Sequence, residues 1–270
     1  MYILGEICYD ELEFCEGEIV MIRCIVVFFI GIAYLIFGTP LLLMEWIIGK
    51  FNPELKSRSS LSLVKWAFGM IARAGGAKVI AIGEDRIPTD TAVLYVGNHR
   101  SYYDVILTYL RVPRLTGYVA KKEIEKVPIL RSWMRNLHCL FLDRNDIKQG
   151  LKTILEAVEM VKKGISVTIF PEGTRNKVPD TILPFHAGSF KIAEKGDVPI
   201  VPICIVNSAA LWEDHFPKMK KATVIIEYCE PIYMKDLQKE DKKNIANHVS
   251  NIIMERYFEN KKLLEASDNR

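Results

Sequence analysis

The stretch that decides the fold is "TAVLYVGNHRSYYD", Thr91–Asp104, in which an apolar, β-branched run gives way abruptly to polar residues. The run Ala92–Gly97 predicts a buried strand, and the apolar spacing of Tyr102–Leu110 predicts a helix directly after it. His99 therefore falls in the turn between the two elements. Because Asp104 lies one turn into the helix, its carboxylate is expected to point back towards the His99 ring.

Short β-branched runs alternate with helical stretches from Lys78 onwards, which is typical of an α/β domain. We therefore predict a largely parallel or mixed sheet flanked by helices over residues 76–265, followed by a loose tail at 266–270. The predicted strands are Val79–Ile82, Ala92–Gly97, Gly117–Ala120, Cys139–Leu142, Ser166–Phe170, Ile200–Val206 and Thr223–Tyr228. The predicted helices are Tyr102–Leu110, Ile129–Leu137, Ile147–Lys162, Gly188–Glu194 and Asp241–Leu264.

A membrane-embedded helical segment is predicted at residues 19–75, after an acidic leader at 1–18. Ile25–Met44 carries no charged residue and is long enough, at 1.5 Å per residue, to cross a hydrocarbon core of roughly 30 Å. A signal peptide is disfavoured because the preceding residues are acidic and no small-residue cleavage site follows. Pro40 interrupts the segment and leaves two alternatives, a single tilted span or a re-entrant helix that bends near Pro40.

The stretch Pro53–Ala74 mixes Lys and Arg with Trp66 and Phe68, a composition typical of a helix that lies in the membrane interface, and this favours the re-entrant alternative. Positive charge follows the apolar segment and acidic charge precedes it. The positive-inside rule then predicts that the larger C-terminal part lies on the cytoplasmic face.

Bulk composition excludes several other classes of function. The net charge of +3 is small, and the sequence contains neither a nucleic-acid motif nor a basic stripe interleaved with aromatics. None of the six cysteines forms a C-x-x-C pair, so a zinc site is not predicted. H-E-x-x-H, P-loop and G-x-S-x-G motifs are also absent from the sequence.

Polar side chains follow three of the predicted strands and are expected to meet at one edge of the sheet. His99 follows "TAVLYVG", Arg144 ends "CLFLDR", and "PEGTR", residues 171–175, follows "ISVTIF". An imidazole held by a carboxylate can take a proton from a hydroxyl. Because no activated protein nucleophile is apparent, we predict that a substrate hydroxyl attacks an acyl carbonyl directly.

The cationic residues near these strand ends predict an anionic, phosphate-bearing substrate. Gly173 permits a tight turn, and Arg175 offers a planar fork suited to phosphate. Glu172 could hold the loop or orient that arginine. Arg144 and Lys121 are further cations at the same predicted edge.

These motifs resemble those of the 1-acylglycerol-3-phosphate (lysophosphatidate) acyltransferases of the wider glycerolipid acyltransferase superfamily. N-H-x-S-x-x-D stands at residues 98–104, an apolar strand ending in arginine stands at 139–144, F-P-E-G-T-R stands at 170–175 and V-P-I-V-P stands at 198–202. The order and spacing fit, and the resemblance covers residues 20 to 260.

The resemblance implies acyl transfer from acyl-CoA or acyl carrier protein to the sn-2 hydroxyl of 1-acylglycerol 3-phosphate, forming phosphatidate in phospholipid biosynthesis. It implies His99 as general base and Asp104 as the residue that orients it. It also implies no metal and no redox cofactor, and membrane lipid rather than nucleic acid as the setting. The substrate-binding residues it implies are Asn98, Ser101, Lys121, Arg144, Glu172, Gly173, Thr174 and Arg175. The acyl or acceptor pocket it implies consists of Phe170, Pro171, Val198, Pro199, Ile200 and Pro202.

Alternatives remain open at this stage. The same chemistry could serve another acceptor, namely a lysophospholipid, glycerol 3-phosphate or an aminolipid. A hydrolase would use water as the nucleophile, and a non-enzymatic lipid-binding protein would not need the histidine. Two residues depart from the family pattern: His138 stands where the family often has glycine, and His186 stands where it often has a basic residue. We interpret His186 as a partly exposed histidine without a role in the site.

Overall fold

The computed structural model describes the backbone of residues 3–268 and the side chains of residues 21–266. Its N-terminal part is a hairpin of two helices, α1 (Ile3–Phe51) and α2 (Pro53–Gly75). The turn is fixed by Asn52, whose side chain accepts a hydrogen bond from the Leu55 N–H at 2.9 Å. The Asn52 cap followed by proline is a preferred way to begin a helix, and Gly76 in the left-handed region (φ 80°) ends α2.

The hairpin corrects one expectation and leaves another outside the described residues. α1 continues as a helix through Pro40, and the chain reverses at Asn52, which is later than the re-entrant alternative expected. The helix Pro128–Asn136 lies close to α1 near Pro40: a Cβ atom added to Gly38 would lie 3.2 Å from Nε1 of Trp133. The acidic side chains predicted as a leader at residues 1–18 lie outside the described side chains, although the backbone from Ile3 is helical.

One segment among the described residues, Met21–Phe51, is long and apolar enough to cross a membrane. Only 6% of its most apolar stretch is buried. Phe29, Phe37 and Phe51 are among its large exposed side chains. A contiguous apolar surface of this kind marks a membrane or protein contact, because water solvates it poorly. The composition and exposure therefore suggest membrane association for α1.

The rest of the chain forms a seven-stranded sheet in the order β1-β7-β6-β2-β5-β3-β4. All neighbours are parallel except β6 and β7, so the predicted α/β fold with a mixed sheet flanked by helices is confirmed. The strands are β1 (Ala77–Ile82), β2 (Leu94–Gly97), β3 (Thr116–Lys121), β4 (Leu140–Leu142), β5 (Ser166–Ile169), β6 (Ile200–Val206) and β7 (Ala222–Tyr228). The remaining helices are α3 (Tyr102–Tyr109), α4 (Pro128–Asn136), α5 (Ile147–Lys162), α6 (Lys191–Gly196), α7 (Lys239–Lys243) and α8 (Ile245–Asp268).

Each face of the sheet carries its own apolar core. The first core joins the sheet to α1–α4 and includes Tyr103, Leu107 and Trp133. The second joins it to α5, α6 and α8 and includes Ile192 and Val249. The helix predicted at 241–264 is divided into α7 and α8, and α8 extends into the tail predicted at 266–270.

The loops that follow the parallel strands lie together at one edge of the sheet. The carboxyl ends of β2, β5, β3 and β4 lie side by side at this edge, because these four strands are parallel neighbours. Loops at such an edge are free of sheet hydrogen bonding and can present polar side chains. The three polar clusters identified in the sequence all follow these strands.

Candidate active site

A histidine–aspartate pair lies where β2 passes into α3. The Nδ1 atom of His99 is 2.8 Å from Oδ2 of Asp104. The same oxygen accepts hydrogen bonds from the backbone N–H groups of Arg100, at 2.7 Å, and Ser101, at 2.8 Å. Asp104 is fully buried. A carboxylate oxygen that receives two backbone donors is best paired with the N–H form of Nδ1, so the Nε2 atom of His99 carries the lone pair.

The local sequence explains why the pair forms. The Ser101 side chain accepts a hydrogen bond from the Tyr103 N–H at 2.9 Å, while Asp104 receives the Ser101 N–H in return. This reciprocal capping box starts α3 and fixes the Asp104 side chain at the third position of the helix. The Asp104 carboxylate therefore both caps the start of α3 and serves as the hydrogen-bond partner of His99.

Three further groups hold the His99 ring and its backbone. The ring stacks on Phe170, with centroids 4.4 Å apart and an interplanar angle of 18°. The His99 N–H donates to Oε1 of Glu172 at 2.6 Å. The Nε2 atom has no hydrogen-bond partner within the described part of the chain, and the His99 side chain is 17% exposed. The imidazole is therefore fixed in orientation but open at the nitrogen that carries the lone pair.

The "FPEGTR" loop is held by Glu172. The second carboxylate oxygen of Glu172 accepts the Leu183 N–H at 2.9 Å, so this residue joins two loops to the His99 backbone. Burial raises the pKa of Glu172, while the hydrogen bonds from Leu183 and His99 act in the opposite direction. Gly173 adopts a φ of 71°, a left-handed conformation that favours glycine. Thr174 is exposed.

A cavity of about 640 Å³ lies against the Phe170 side of the site. Arg144, His186 and Gly173 meet at its wall: a Cβ atom on Gly173 would lie 3.3 Å from Nε2 of His186 and 3.6 Å from Nε of Arg144. Pro171 also lines the cavity, and the first half of α5 supplies an apolar wall. His186, interpreted from the sequence as uninvolved, thus lies beside two predicted substrate-binding residues.

Arg175 occupies the other side of the site and has protein partners. Its guanidinium carbon lies 3.7 Å from the centroid of the Tyr102 ring, and its Nη1 donates to Glu213 at 3.1 Å. Glu213 also accepts the Ser101 hydroxyl at 2.6 Å and the Tyr102 N–H at 2.8 Å. Glu213 was not among the site residues predicted from the sequence. It belongs to none of the four motifs, and an acidic pair such as Glu213-Asp214 is ordinarily a solvated surface feature.

A second cavity, of about 380 Å³, lies between the helical hairpin and helices α3 and α4. Its surface is wholly apolar. Tyr102 and Trp212 form its boundary towards Arg175, while Phe28 and Leu35 of α1 contribute to the opposite side. The site thus lies between a partly cationic cavity and an apolar one.

Three of the predicted substrate-binding residues, Asn98, Ser101 and Lys121, lie in the fold as follows. Asn98 is buried, donates to the Ile205 carbonyl at 2.9 Å and accepts the Ile205 N–H at 2.8 Å, so it ties the loop after β2 to β6. Ser101 is buried in the helix cap. Lys121 is exposed at the end of β3 and does not line the cavity beside Phe170.

The V-P-I-V-P residues lie at the start of β6. Val198, Pro199, Ile200 and Pro202 are buried, the last two within the strand, and they line neither of the two described cavities. Their position follows from the register: Ile200 pairs with Leu94 at the amino end of β2, whereas the His99 loop follows the carboxyl end. The pocket role of these four residues therefore stays a prediction, whereas Phe170 and Pro171 line the 640 Å³ cavity.

Among the described side chains, no group of three or more His, Cys, Asp or Glu residues is arranged to hold a metal ion.

The chain is similar to known acyltransferases. A family model described as Acyltransferase matches residues 78–206. The 1-acyl-sn-glycerol-3-phosphate acyltransferase of Escherichia coli (strain K12) is 31% identical over 71% of this chain and 78% of its own length. The enzyme of the same name from Saccharomyces cerevisiae is 30% identical over 64% of this chain, and the match spans only 58% of the yeast protein.

A solved structure provides a likeness of fold. The crystal structure of the 1-acyl-sn-glycerophosphate (LPA) acyltransferase PlsC from Thermotoga maritima matches with a TM-score of 0.77 and 24% sequence identity. The match covers 90% of this chain and 96% of that one, so it includes at least part of the helical hairpin as well as the sheet.

Proposed function

Since this chain belongs to the 1-acyl-sn-glycerol-3-phosphate acyltransferases, a family of O-acyltransferases, we propose that it acylates the sn-2 hydroxyl of 1-acylglycerol 3-phosphate to form phosphatidate. The acyl donor in this proposal is a thioester, acyl-CoA or acyl carrier protein. The observation that carries the proposal is the His99–Asp104 pair at 2.8 Å, with the second ring nitrogen open at the sheet edge.

In the proposed mechanism His99 is the general base. Its Nε2 atom takes the proton of the sn-2 hydroxyl as the hydroxyl oxygen attacks the thioester carbonyl. Asp104 holds the imidazole in the N–H form at Nδ1 and stabilises the imidazolium that results. When the tetrahedral intermediate collapses, the C–S bond breaks and the imidazolium returns its proton to the departing thiolate. No cofactor is needed for this sequence of steps, since the thioester supplies the activated acyl group.

The acceptor phosphate is proposed to bind the two arginines that flank the pair. Arg144 has no ion-pair partner among the described residues and lies beside the Gly173 turn, so its fork is available to an anion. Arg175 uses one nitrogen for Glu213 and is held against Tyr102. The phosphate would then keep the acceptor hydroxyl within reach of His99.

The helical hairpin is proposed to lie in the membrane, with the catalytic domain on the cytoplasmic face. The exposed apolar side chains of Met21–Phe51 support the first part. The basic residues that follow the apolar segment support the second. A lipid acceptor would reach the site from the same surface that holds the hairpin.

Acyl transfer measured in detergent or lipid tests the proposal. Wild-type protein and His99→Ala are supplied with oleoyl-lysophosphatidate and acyl-CoA, and thiol release and phosphatidate formation are followed. His248→Ala is the matched control, because His248 also contacts a carboxylate, Asp241, at 3.3 Å but lies on α8. We expect His99→Ala to lose about 10²–10⁴ in rate, the range for a general base, and the control to retain its rate.

The acceptor and donor are varied in the same assay. Thiol release that requires lysophosphatidate supports the proposed acceptor, whereas release without any acceptor would indicate a hydrolase. Turnover only with glycerol 3-phosphate, a lysophospholipid or an aminolipid would show that the acceptor differs from the one proposed, while the acyl-transfer mechanism would stand. Exchange of acyl-CoA for acyl carrier protein identifies the donor.

A further inference from the structure

Glu213 joins two parts of the site that lie far apart in the sequence. One carboxylate oxygen accepts both the Tyr102 N–H and Nη1 of Arg175, and the other accepts the Ser101 hydroxyl. Tyr102 and Ser101 form the start of α3, which carries Asp104. Arg175 belongs to the loop after β5. A single carboxylate therefore connects the helix that orients the base to the arginine proposed to bind phosphate.

The segment that carries Glu213 is itself well anchored. It forms a single turn of 3₁₀-helix, Glu213–His215, after β6. The preceding residue, Trp212, packs against Tyr102 and Phe28, with ring centroids 5.7 and 5.6 Å apart. The Glu213 side chain is 19% exposed, against 46% for Asp214. A carboxylate held in this way presents its oxygens in a fixed direction.

The surroundings of Arg175 define what Glu213 can do. Tyr102 covers one face of the guanidinium and Glu213 takes one nitrogen. The other guanidinium nitrogens have no hydrogen-bond partner among the described residues, so one edge of the fork is left for an anion. A long arginine side chain that is already ordered loses less conformational entropy when a ligand binds.

We propose that Glu213 is a positioning residue for acceptor binding: it holds Arg175 on Tyr102 so that the free edge of the guanidinium meets the phosphate of the acceptor. The inference rests on the proposed function, because it requires Arg175 to bind that phosphate. Glu213 does not contact the reacting atoms. Glu213 influences the substrate only through Arg175. Its contacts with Ser101 and Tyr102 keep the Arg175 side chain aligned with the His99–Asp104 pair.

The structure favours a specific pair of variants. Glu213→Ala removes all three contacts. In Glu213→Gln the amide oxygen can still accept from Tyr102 and Arg175, and the amide nitrogen can donate to the Ser101 hydroxyl, so the geometry is kept while the charge is lost. Immobilising one rotamer-rich side chain costs about 0.5–1.5 kcal/mol, which corresponds to a roughly two- to tenfold change in affinity. The glutamine variant should therefore lie closer to wild type than the alanine variant.

The test is a double-mutant cycle with Glu213→Ala and Arg175→Ala, read out as the KM for lysophosphatidate, the KM for the donor, and kcat. We expect Glu213→Ala to raise the acceptor KM roughly two- to tenfold in the wild-type background and to leave the donor KM unchanged. In the Arg175→Ala background the same substitution should leave the acceptor KM unchanged. Glu84→Ala is the matched control, since it removes the partner of Arg111, 2.9 Å away, beyond the other end of α3.

The outcomes separate this inference from the proposed function. An equal effect of Glu213→Ala on the acceptor KM in both backgrounds would overturn the inference, because Glu213 would then act independently of Arg175. A lower unfolding temperature with an unchanged acceptor KM would also overturn it and leave Glu213 as a structural cap. An inactive wild-type protein would instead contradict the proposed function. Rescue of the acceptor KM by Glu213→Gln would support the positioning role.

Discussion

Replacing Asp104 with asparagine separates its electrostatic role from its role in the helix cap. Oδ2 of Asp104 receives three donors: His99 Nδ1 and the N–H groups of Arg100 and Ser101. Oδ1 is buried and has no partner among the described residues. An asparagine can place its oxygen where the three donors meet and its NH₂ group where Oδ1 lies. The geometry of the pair is then retained, but the negative charge is lost.

The structure allows the expected loss of rate to be worked out. Two unit charges about 4 Å apart interact by about 4 kcal/mol at an effective dielectric constant of about 20. That energy, if present only once the imidazolium has formed, corresponds to roughly a thousandfold in kcat. The His99 side chain is 17% exposed, so solvent screens part of it. We therefore expect Asp104→Asn to lower kcat by about 10²–10³.

The assay is thiol release at saturating lysophosphatidate and donor, with thermal unfolding measured on the same samples. Asp104→Ala should lose both activity and stability. Loss of a helix cap lowers the free energy of unfolding by about 0.5–2 kcal/mol, and the N–H groups of Arg100 and Ser101 lose their acceptor. Asp214→Asn is a matched control, an acid whose ion pair with Arg100 is 3.3 Å long and partly exposed. If Asp104→Asn kept kcat within about threefold of wild type, the electrostatic reasoning would be refuted and Asp104 would be only a cap.

Three further predictions follow from the contacts. Arg144→Ala should raise the lysophosphatidate KM roughly 10- to 100-fold, because a hydrogen bond to a charged group contributes about 1.5–3 kcal/mol, and an unchanged acceptor KM in steady-state kinetics would exclude the arginine from phosphate binding. Gly173→Ala should lower the unfolding temperature and raise the same KM, since its φ is 71° and the new Cβ would lie 3.3 Å from His186; a melting curve equal to wild type would contradict this. Burial, with a smaller effect of the Lys56 charge, lowers the pKa of His138 below 6.5, so the unfolded chain binds more protons and stability should fall as the pH falls through that value. His138→Asn should flatten that dependence in thermal unfolding measured from about pH 8 to about pH 5, because asparagine carries no titrating charge and tolerates the left-handed φ of 59°; an unchanged slope would show that another group titrates.

Most of the fold and the centre of the site could be predicted from local sequence patterns. The alternation of strand and helix patterns predicted the mixed sheet. Because the carboxyl ends of parallel strands meet at one edge, the sequence also predicted that His99, Arg144 and the Phe170–Arg175 loop lie together there. The position of Asp104 in the first turn of the predicted helix gave the direction of its side chain, and the capping box in the structure accounts for that direction within a few residues. Such short-range constraints are fully written in the sequence.

Features that the sequence did not predict depend on contacts between residues that are far apart in the chain. Asn98 pairs with Ile205, and only the register of β2 against β6 brings the two together. The same register places Ile200 in the sheet, opposite Leu94. Pro40 was expected to interrupt a helix, but α1 continues through it.

His138 illustrates how the structure explains a departure from the family pattern. A φ of 59° is a conformation that glycine adopts at little cost, which accounts for glycine as the expected residue there. In this chain the His138 ring lies 2.9 Å from the Ser57 hydroxyl of α2. The substitution therefore adds a contact between the catalytic domain and the helical hairpin.

The stoichiometry of the reaction tests the central claim most directly. Wild-type protein is incubated with acyl-CoA, with and without oleoyl-lysophosphatidate, and both thiol and phosphatidate are quantified. If His99 activates the acceptor hydroxyl, thiol and phosphatidate should form in equimolar amounts, and thiol release should be negligible without the acceptor. Thiol release that continues at the same rate without lysophosphatidate would show that water is the nucleophile and would contradict the account.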